Sequence, residues 1–120
     1  MIELRKQHYF KMLKNGRLIP FIPNGSLIAF LTFYITDNAM PYVNADPWDV
    51  LEDNPNGRIC YINQLMTTND KGNARLSYGI WCNFKKYIKD NFKNVECIYW
   101  RRWNEKEKIV KEYLKVLSKE

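Results

Sequence analysis

Residues 57–103 constrain the fold more than any other part of the sequence. An apolar run at 58–68, Arg-Ile-Cys-Tyr-Ile-Asn-Gln-Leu-Met-Thr-Thr, leads into the polar turn Asn-Asp-Lys-Gly-Asn-Ala at 69–74. An amphipathic stretch follows over 75–92, with Leu76, Ile80, Phe84, Tyr87, Ile88 and Phe92 in helical period and Lys85, Lys86, Lys89 and Asp90 mostly on other faces. A second apolar run at 94–103 ends in Trp100, Arg101, Arg102 and Trp103. The order reads strand, glycine turn, helix, strand. Such a unit packs its helix on one face of a sheet through a right-handed crossover. It also brings the turn to a helix N-terminus, where backbone N–H groups and the helix dipole favour an anion.

The rest of the chain must add to that unit. Residues 2–14 suit a short helix, with Leu4, His8 and Met12 repeating at four and Asn15-Gly16 as the stop. Residues 18–22 read as an edge or irregular strand because of Pro20 and Pro23. Asn24-Gly25 is a two-residue hairpin signal, and 26–36 reads as a strand covered on both faces. Three prolines mark 37–56 as a long loop, with one helical turn expected at 47–51 and Trp48 and Leu51 docking it on the body. At the C-terminal end, helical spacing of Ile109, Val110, Tyr113, Leu114 and Leu117 favours a helix capped by Asn104. A hairpin, with 104–107 as its turn and 109–116 as a return strand, is the alternative. The expected fold class is mixed α/β or α+β: one domain over residues 1–120, with a central mixed sheet and flanking helices.

Length and composition agree. A chain of 120 residues is expected to form one domain with one core, and 46% hydrophobic and 15% aromatic residues supply that core. The charged fraction of 27% argues against disorder. The three cysteines are widely spaced, and His8 is the only histidine, so no zinc-ligand spacing occurs and no metal is expected. Free thiols in a reducing compartment are the expectation. No signal peptide or membrane-spanning run is visible, which points to a cytoplasmic chain without membrane insertion. The net charge of +6 favours phosphate-rich partners such as nucleic acid, nucleotides or coenzyme A. The abundance of lysine, asparagine, isoleucine and tyrosine is equally what an AT-rich genome encodes.

This order of elements, with the Asn69-Asp70-Lys71-Gly72-Asn73-Ala74 turn between strand and helix, resembles the GCN5-related N-acetyltransferase superfamily. The resemblance is centred on residues 57–103. In that family a Q/R-x-x-G-x-G/A turn cradles the cofactor pyrophosphate. Gly72 and Ala74 match, while Asn69 stands where glutamine or arginine is usual. A looser likeness is to the toxin-activating lysine acyltransferases, whose preceding strand carries an aspartate that works with an N-terminal histidine. Here that strand reads Tyr61-Ile62-Asn63-Gln64-Leu65, with Asn63 at the aspartate position and His8 near the N-terminus.

The resemblance implies an acyl-CoA-dependent N-acyltransferase acting on a small-molecule or protein amine, with acetyl-CoA or a longer acyl-CoA as cofactor. The backbone of Gln64, Leu65 and Met66 would pair with the pantetheine arm. Asn69, Lys71, Gly72, Asn73 and Ala74 would hold the pyrophosphate. Catalytic candidates are His8 as a base, Glu96 as a base acting through water and Tyr113 as the acid for the leaving thiolate. Each has a plainer reading as a packed or solvent-facing residue. The alternative function is a non-catalytic binding or structural protein on the same fold. Short chains of this outline resemble phage-encoded ones, which would place it in host cytoplasm or a virion. In a nucleic-acid-binding version, Arg101, Arg102 and Trp103 would form the contact surface, although strand alternation sets Arg101 and Trp103 on the face opposite Trp100 and Arg102.

Overall fold

The computed structural model describes residues 2–22, 25, 27–46, 48–67 and 74–117. Its elements are α1 (Ile2–Lys14), β1 (Leu18–Phe21), β2 (Ala29–Thr36), α2 (Met40–Val43), β3 (Ile59–Thr67), α3 (Ala74–Asn91), β4 (Cys97–Asn104) and β5 (Ile109–Val116). The strands form one mixed sheet in the order β1-β2-β3-β4-β5. Only the β3–β4 pair is parallel, and α3 is the crossover between those two strands. The α+β layer read from the sequence is therefore the architecture, with β1 at an edge.

Two packing clusters sandwich the sheet. On one face Phe84 and Ile88 of α3 meet Leu31, Phe33 and Ile35 of β2, Cys60 of β3 and Ile98 of β4. On the other, Met12 of α1 meets Tyr34, Ala39 and Tyr61. β2 lies under both clusters, which is why its sequence is apolar without alternation. β1 covers only half of the edge of β2. Beyond Thr32 that edge is completed by Phe33 N–H to the Arg17 carbonyl (3.1 Å), Ile35 N–H to Asp53 Oδ2 (2.9 Å) and Asn54 N–H to the Ile35 carbonyl (2.9 Å). The long loop thus acts as a surrogate edge strand. Its approach is close enough that a Cβ on Gly57 would sit 2.5 Å from the Thr36 carbonyl carbon, so only glycine fits there.

Four expectations need correction. Residues 109–116 are not helical: β5 returns antiparallel to β4 in register from Cys97–Val116 to Asn104–Ile109. The turn between them is closed by Lys108 N–H to the Asn104 carbonyl and by Asn104 Oδ1 accepting from Glu107 N–H, with Lys108 at φ 56°. Asn104 does cap, but it caps a turn. The helical turn of the long loop lies at Met40–Val43, not at 47–51. The β1–β2 ladder opens at Phe21–Ala29, so their connection is longer than a two-residue turn, and β2 begins three residues later than expected. Gly25 adopts φ 80°, a left-handed conformation that glycine accepts at little cost, while Asn24 lies outside the described residues.

Candidate functional site

The most informative local geometry is where β3 and β4 part. Their ladder registers Ile59, Cys60 and Tyr61 against Cys97, Ile98 and Tyr99 and ends there, although β3 continues to Thr67 and β4 to Asn104. The cause is local. The β2–β3 register shifts between Thr32 and Phe33, and Asn63 is the extra residue on β3. A bulge bends its strand and increases the local twist, here turning the second half of β3 away from β4. The result is a wedge-shaped opening. Because β3 and β4 are parallel and α3 follows β3, the N-terminal end of α3 stands at the open end of the wedge.

The bulge also re-aims two consecutive side chains onto the α1 side. Asn63 Nδ2 donates to Thr32 Oγ1 (3.4 Å), and Gln64 Oε1 accepts from the Tyr9 hydroxyl (3.0 Å). Tyr9 also packs edge-on against Phe30, with ring centroids 4.8 Å apart. Burial raises the Tyr9 pKa, which keeps its hydroxyl a donor at neutral pH. Leu65 and Met66, the next residues of β3, are exposed. Tyr9 ties α1 to β3 beyond the end of the β3–β4 ladder, and no site role was expected for it from the sequence. An aromatic beside a helix core face is an ordinary packing signal, and nothing in the chain order announces its contact with Gln64.

His8 is buried, 1% exposed, under the long loop. Its Nδ1 lies 3.0 Å from the Trp48 carbonyl oxygen. A carbonyl only accepts, so Nδ1 carries the proton and the neutral ring keeps its lone pair on Nε2. Among the described residues Nε2 is buried without a hydrogen-bond partner. Trp48 packs edge-on against the imidazole, and the Arg5 guanidinium covers the indole, 5.0 Å from its centroid. Burial lowers the His8 pKa, partly offset by the Trp48 carbonyl.

Stability should follow this pKa. The unfolded ring titrates near 6.5 and the folded ring lower, so below that pH the unfolded chain binds more protons. Stability is then complete above pH 6.5 and falls as pH drops through the window beneath it, by at most about 1.4 kcal/mol per pH unit. Urea midpoints between about pH 7.5 and about pH 5.5 should decline in the wild type, and His8→Asn should remove most of that slope. An equal slope in both proteins would contradict the assignment.

The other candidates are scattered. Glu96 precedes β4, its N–H bonded to the Arg58 carbonyl at 2.7 Å, at the paired end of the β3–β4 ladder. It stands three residues, about 10 Å of extended chain, before the wedge begins at Tyr99. Tyr113 is on β5 rather than on a helix, and its ring stacks on Trp100 at 5.3 Å and 9°. Asn69, Lys71, Gly72 and Asn73 lie outside the described residues, and Ala74 is described only as the first residue of α3.

Arg101 and Trp103 do share one face of β4, with Trp100 on the other against Trp81 of α3. Arg101 is engaged by Glu112 (3.7 Å), and the Trp103 indole N–H donates to Glu105 (2.6 Å). The free thiols of Cys60, Cys82 and Cys97 form no disulfide, and burial pushes the Cys60 thiol well up, so it stays protonated. Among the described residues no helix is long and apolar enough to cross a membrane. No protein-family model matches the chain, and no curated protein matches it in sequence.

Proposed function

We propose that the chain is an acyl-CoA-dependent N-acyltransferase of the GCN5-related type, with an amine as acceptor. The observation that carries this reading is the wedge: a bulge at Asn63, a ladder that stops at Tyr61–Tyr99, and a helix N-terminus at the open end. A divergence of parallel strands offers main-chain groups at the depth of the sheet to an extended arm. The exposed residues Leu65 and Met66, following Gln64, supply that stretch of β3. The helix N-terminus offers N–H groups to a pyrophosphate, and Lys71, Gly72, Asn73 and Ala74 stand immediately before or at it, with Asn69 opening the turn.

Bound acyl-CoA would supply a thioester whose carbonyl carbon an amine attacks, with loss of the CoA thiol. The protein's part is mainly orientation, which can supply several kcal/mol. Tyr9, held on Gln64, fixes the α1 side of β3.

A second reading, a non-catalytic binding protein on this fold, is favoured by one observation. Asn63, where the lysine acyltransferase likeness would have a carboxylate, uses its amide on Thr32. Titration calorimetry with acetyl-CoA separates the two. Saturable binding that Gly72→Glu abolishes is expected, since a carboxylate would then face the pyrophosphate. No heat at millimolar acetyl-CoA would sink the enzyme reading in favour of the second. Affinity retained by Gly72→Glu would show that the pyrophosphate sits elsewhere.

A further inference from the structure

At the opposite end of α3 from the wedge lies a groove of about 630 Å³. Lys85, Lys86, Lys89, Lys93 and Lys115 line it, with Asp90 as the only acidic side chain among the described residues. Five lysines and one aspartate thus sit in one concavity of a chain whose net charge is +6. They come from three places: the C-terminal half of α3, the turn after it, and the end of β5. Folding brings Lys115 to the others across the sheet, so the cluster is more than the solvated face of one helix.

Some of this charge has a local use, because cations near a helix C-terminus offset its dipole. That use does not require Lys115, nor like charges at the i,i+4 spacing of Lys85 and Lys89 and the i,i+3 spacing of Lys86 and Lys89. Such pairs cost roughly 0.2–0.5 kcal/mol each in an isolated helix. Lys85 rests its ammonium over the Trp81 ring at 5.4 Å. Among the described residues Lys86, Lys93 and Lys115 make no ion pair, and all three are exposed.

We infer that this groove binds the phosphate backbone of nucleic acid without reading sequence. Lys86 and Lys89 lie three residues apart on α3, about 4.5 Å along its axis, and Lys93 follows in the turn beyond the helix end, so the ammonium groups extend over more than one phosphate step of about 3.4 Å. The binding is a backbone mode: among the described residues the groove carries point-charge ammonium groups and no arginine fork, and its aromatic neighbour Trp81 is already under Lys85. The site is separate from Arg101, Arg102 and Trp103 on β4, and does not depend on the acyltransferase reading.

Fluorescence anisotropy with a labelled duplex of about 20 base pairs tests it. With all five lysines neutralising phosphates, log Kd should rise against log salt with a slope of about 4.5, or about 500-fold from about 50 to about 200 mM. The triple variant K86E/K93E/K115E should bind at least about 100-fold more weakly at low salt, while R101E/R102E should stay within about threefold. A scrambled duplex should bind equally. Salt-independent binding, or loss with R101E/R102E but not with the lysine variant, would overturn the assignment. So would binding of phosphatidylserine vesicles or polyglutamate through these lysines with no binding of the duplex.

Discussion

Asp53→Ala should cost about 3–5 kcal/mol, the range for removing one member of a buried ion pair. For 120 residues the whole stability is expected to be roughly 6–18 kcal/mol, so this one carboxylate decides whether the fold is robust or marginal. Asp53 and Arg17 are 11% and 13% exposed. Asp53 Oδ2 takes Arg17 Nε at 2.6 Å, and Oδ1 takes Nη2 at 3.1 Å, a two-point pairing. Oδ2 also accepts from Ile35 N–H, in a residue with no exposure.

Truncating Asp53 therefore orphans two groups at once: a guanidinium held over Phe92 and Phe33, and a buried backbone donor on the central strand. It also releases the loop that finishes the edge of β2. Asp53→Asn keeps an acceptor for Ile35 N–H and loses the charge, so it should cost less than alanine. Urea denaturation of the three proteins checks the order. A cost below about 1 kcal/mol for alanine would mean that the pair behaves as a surface salt bridge.

Asp53 also shows where sequence reading stops. The strand–helix–strand order was legible because its signals are local: an apolar run, a stretch of period 3.6, then a second apolar run. The parallel pairing of β3 with β4 follows from that order, and so does the core face of α3, where Ile80, Phe84 and Ile88 are buried as their spacing requires. At the C-terminal end the hairpin, the alternative in the sequence, displaces the helix that the spacing favoured. Ile109, Val110, Leu114 and Val116 are all exposed, so apolar residues on both sides of an uncovered edge strand imitate a helical stripe.

Asp53 has no local signal. It lies in a proline-rich loop among other acidic residues, and its meaning comes from Arg17, 36 positions away. The same holds for the wedge. The extra residue Asn63 is invisible within the nine residues of β3, because a bulge is defined only against the partner strand. The candidate site was thus legible as an order of elements, and Trp48 as the residue that docks the long loop, while Tyr9 and Thr32, which shape the site, were not.

Phe33→Ala should have an effect of the same size, about 3–5 kcal/mol, through a cavity rather than a charge. Phe33 has no exposure and lies under a cage of rings, with centroids of Phe84 at 5.6 Å, Phe92 at 5.9 Å and Tyr87 at 6.4 Å. Those rings belong to α3 and the residue following it, while Phe33 is on β2, so the phenyl group keys the crossover helix to the middle of the sheet. The cavity left by alanine would be bounded by flat aromatic faces, which collapse poorly onto one another, so the upper part of the range is expected.

Phe33 and Asp53 are also coupled, because the Arg17 guanidinium lies 5.8 Å from the Phe33 centroid while it grips the carboxylate. With Asp53 gone, Arg17 no longer has a reason to stay over the ring and can turn toward solvent. The milder Phe33→Leu should then cost less in the Asp53→Ala background than in the wild type, with an interaction energy of about 0.5–3 kcal/mol in a double-mutant cycle. Strict additivity would mean that the carboxylate does not hold Arg17 over Phe33, and that the ring cage and the loop anchor stabilise the sheet independently.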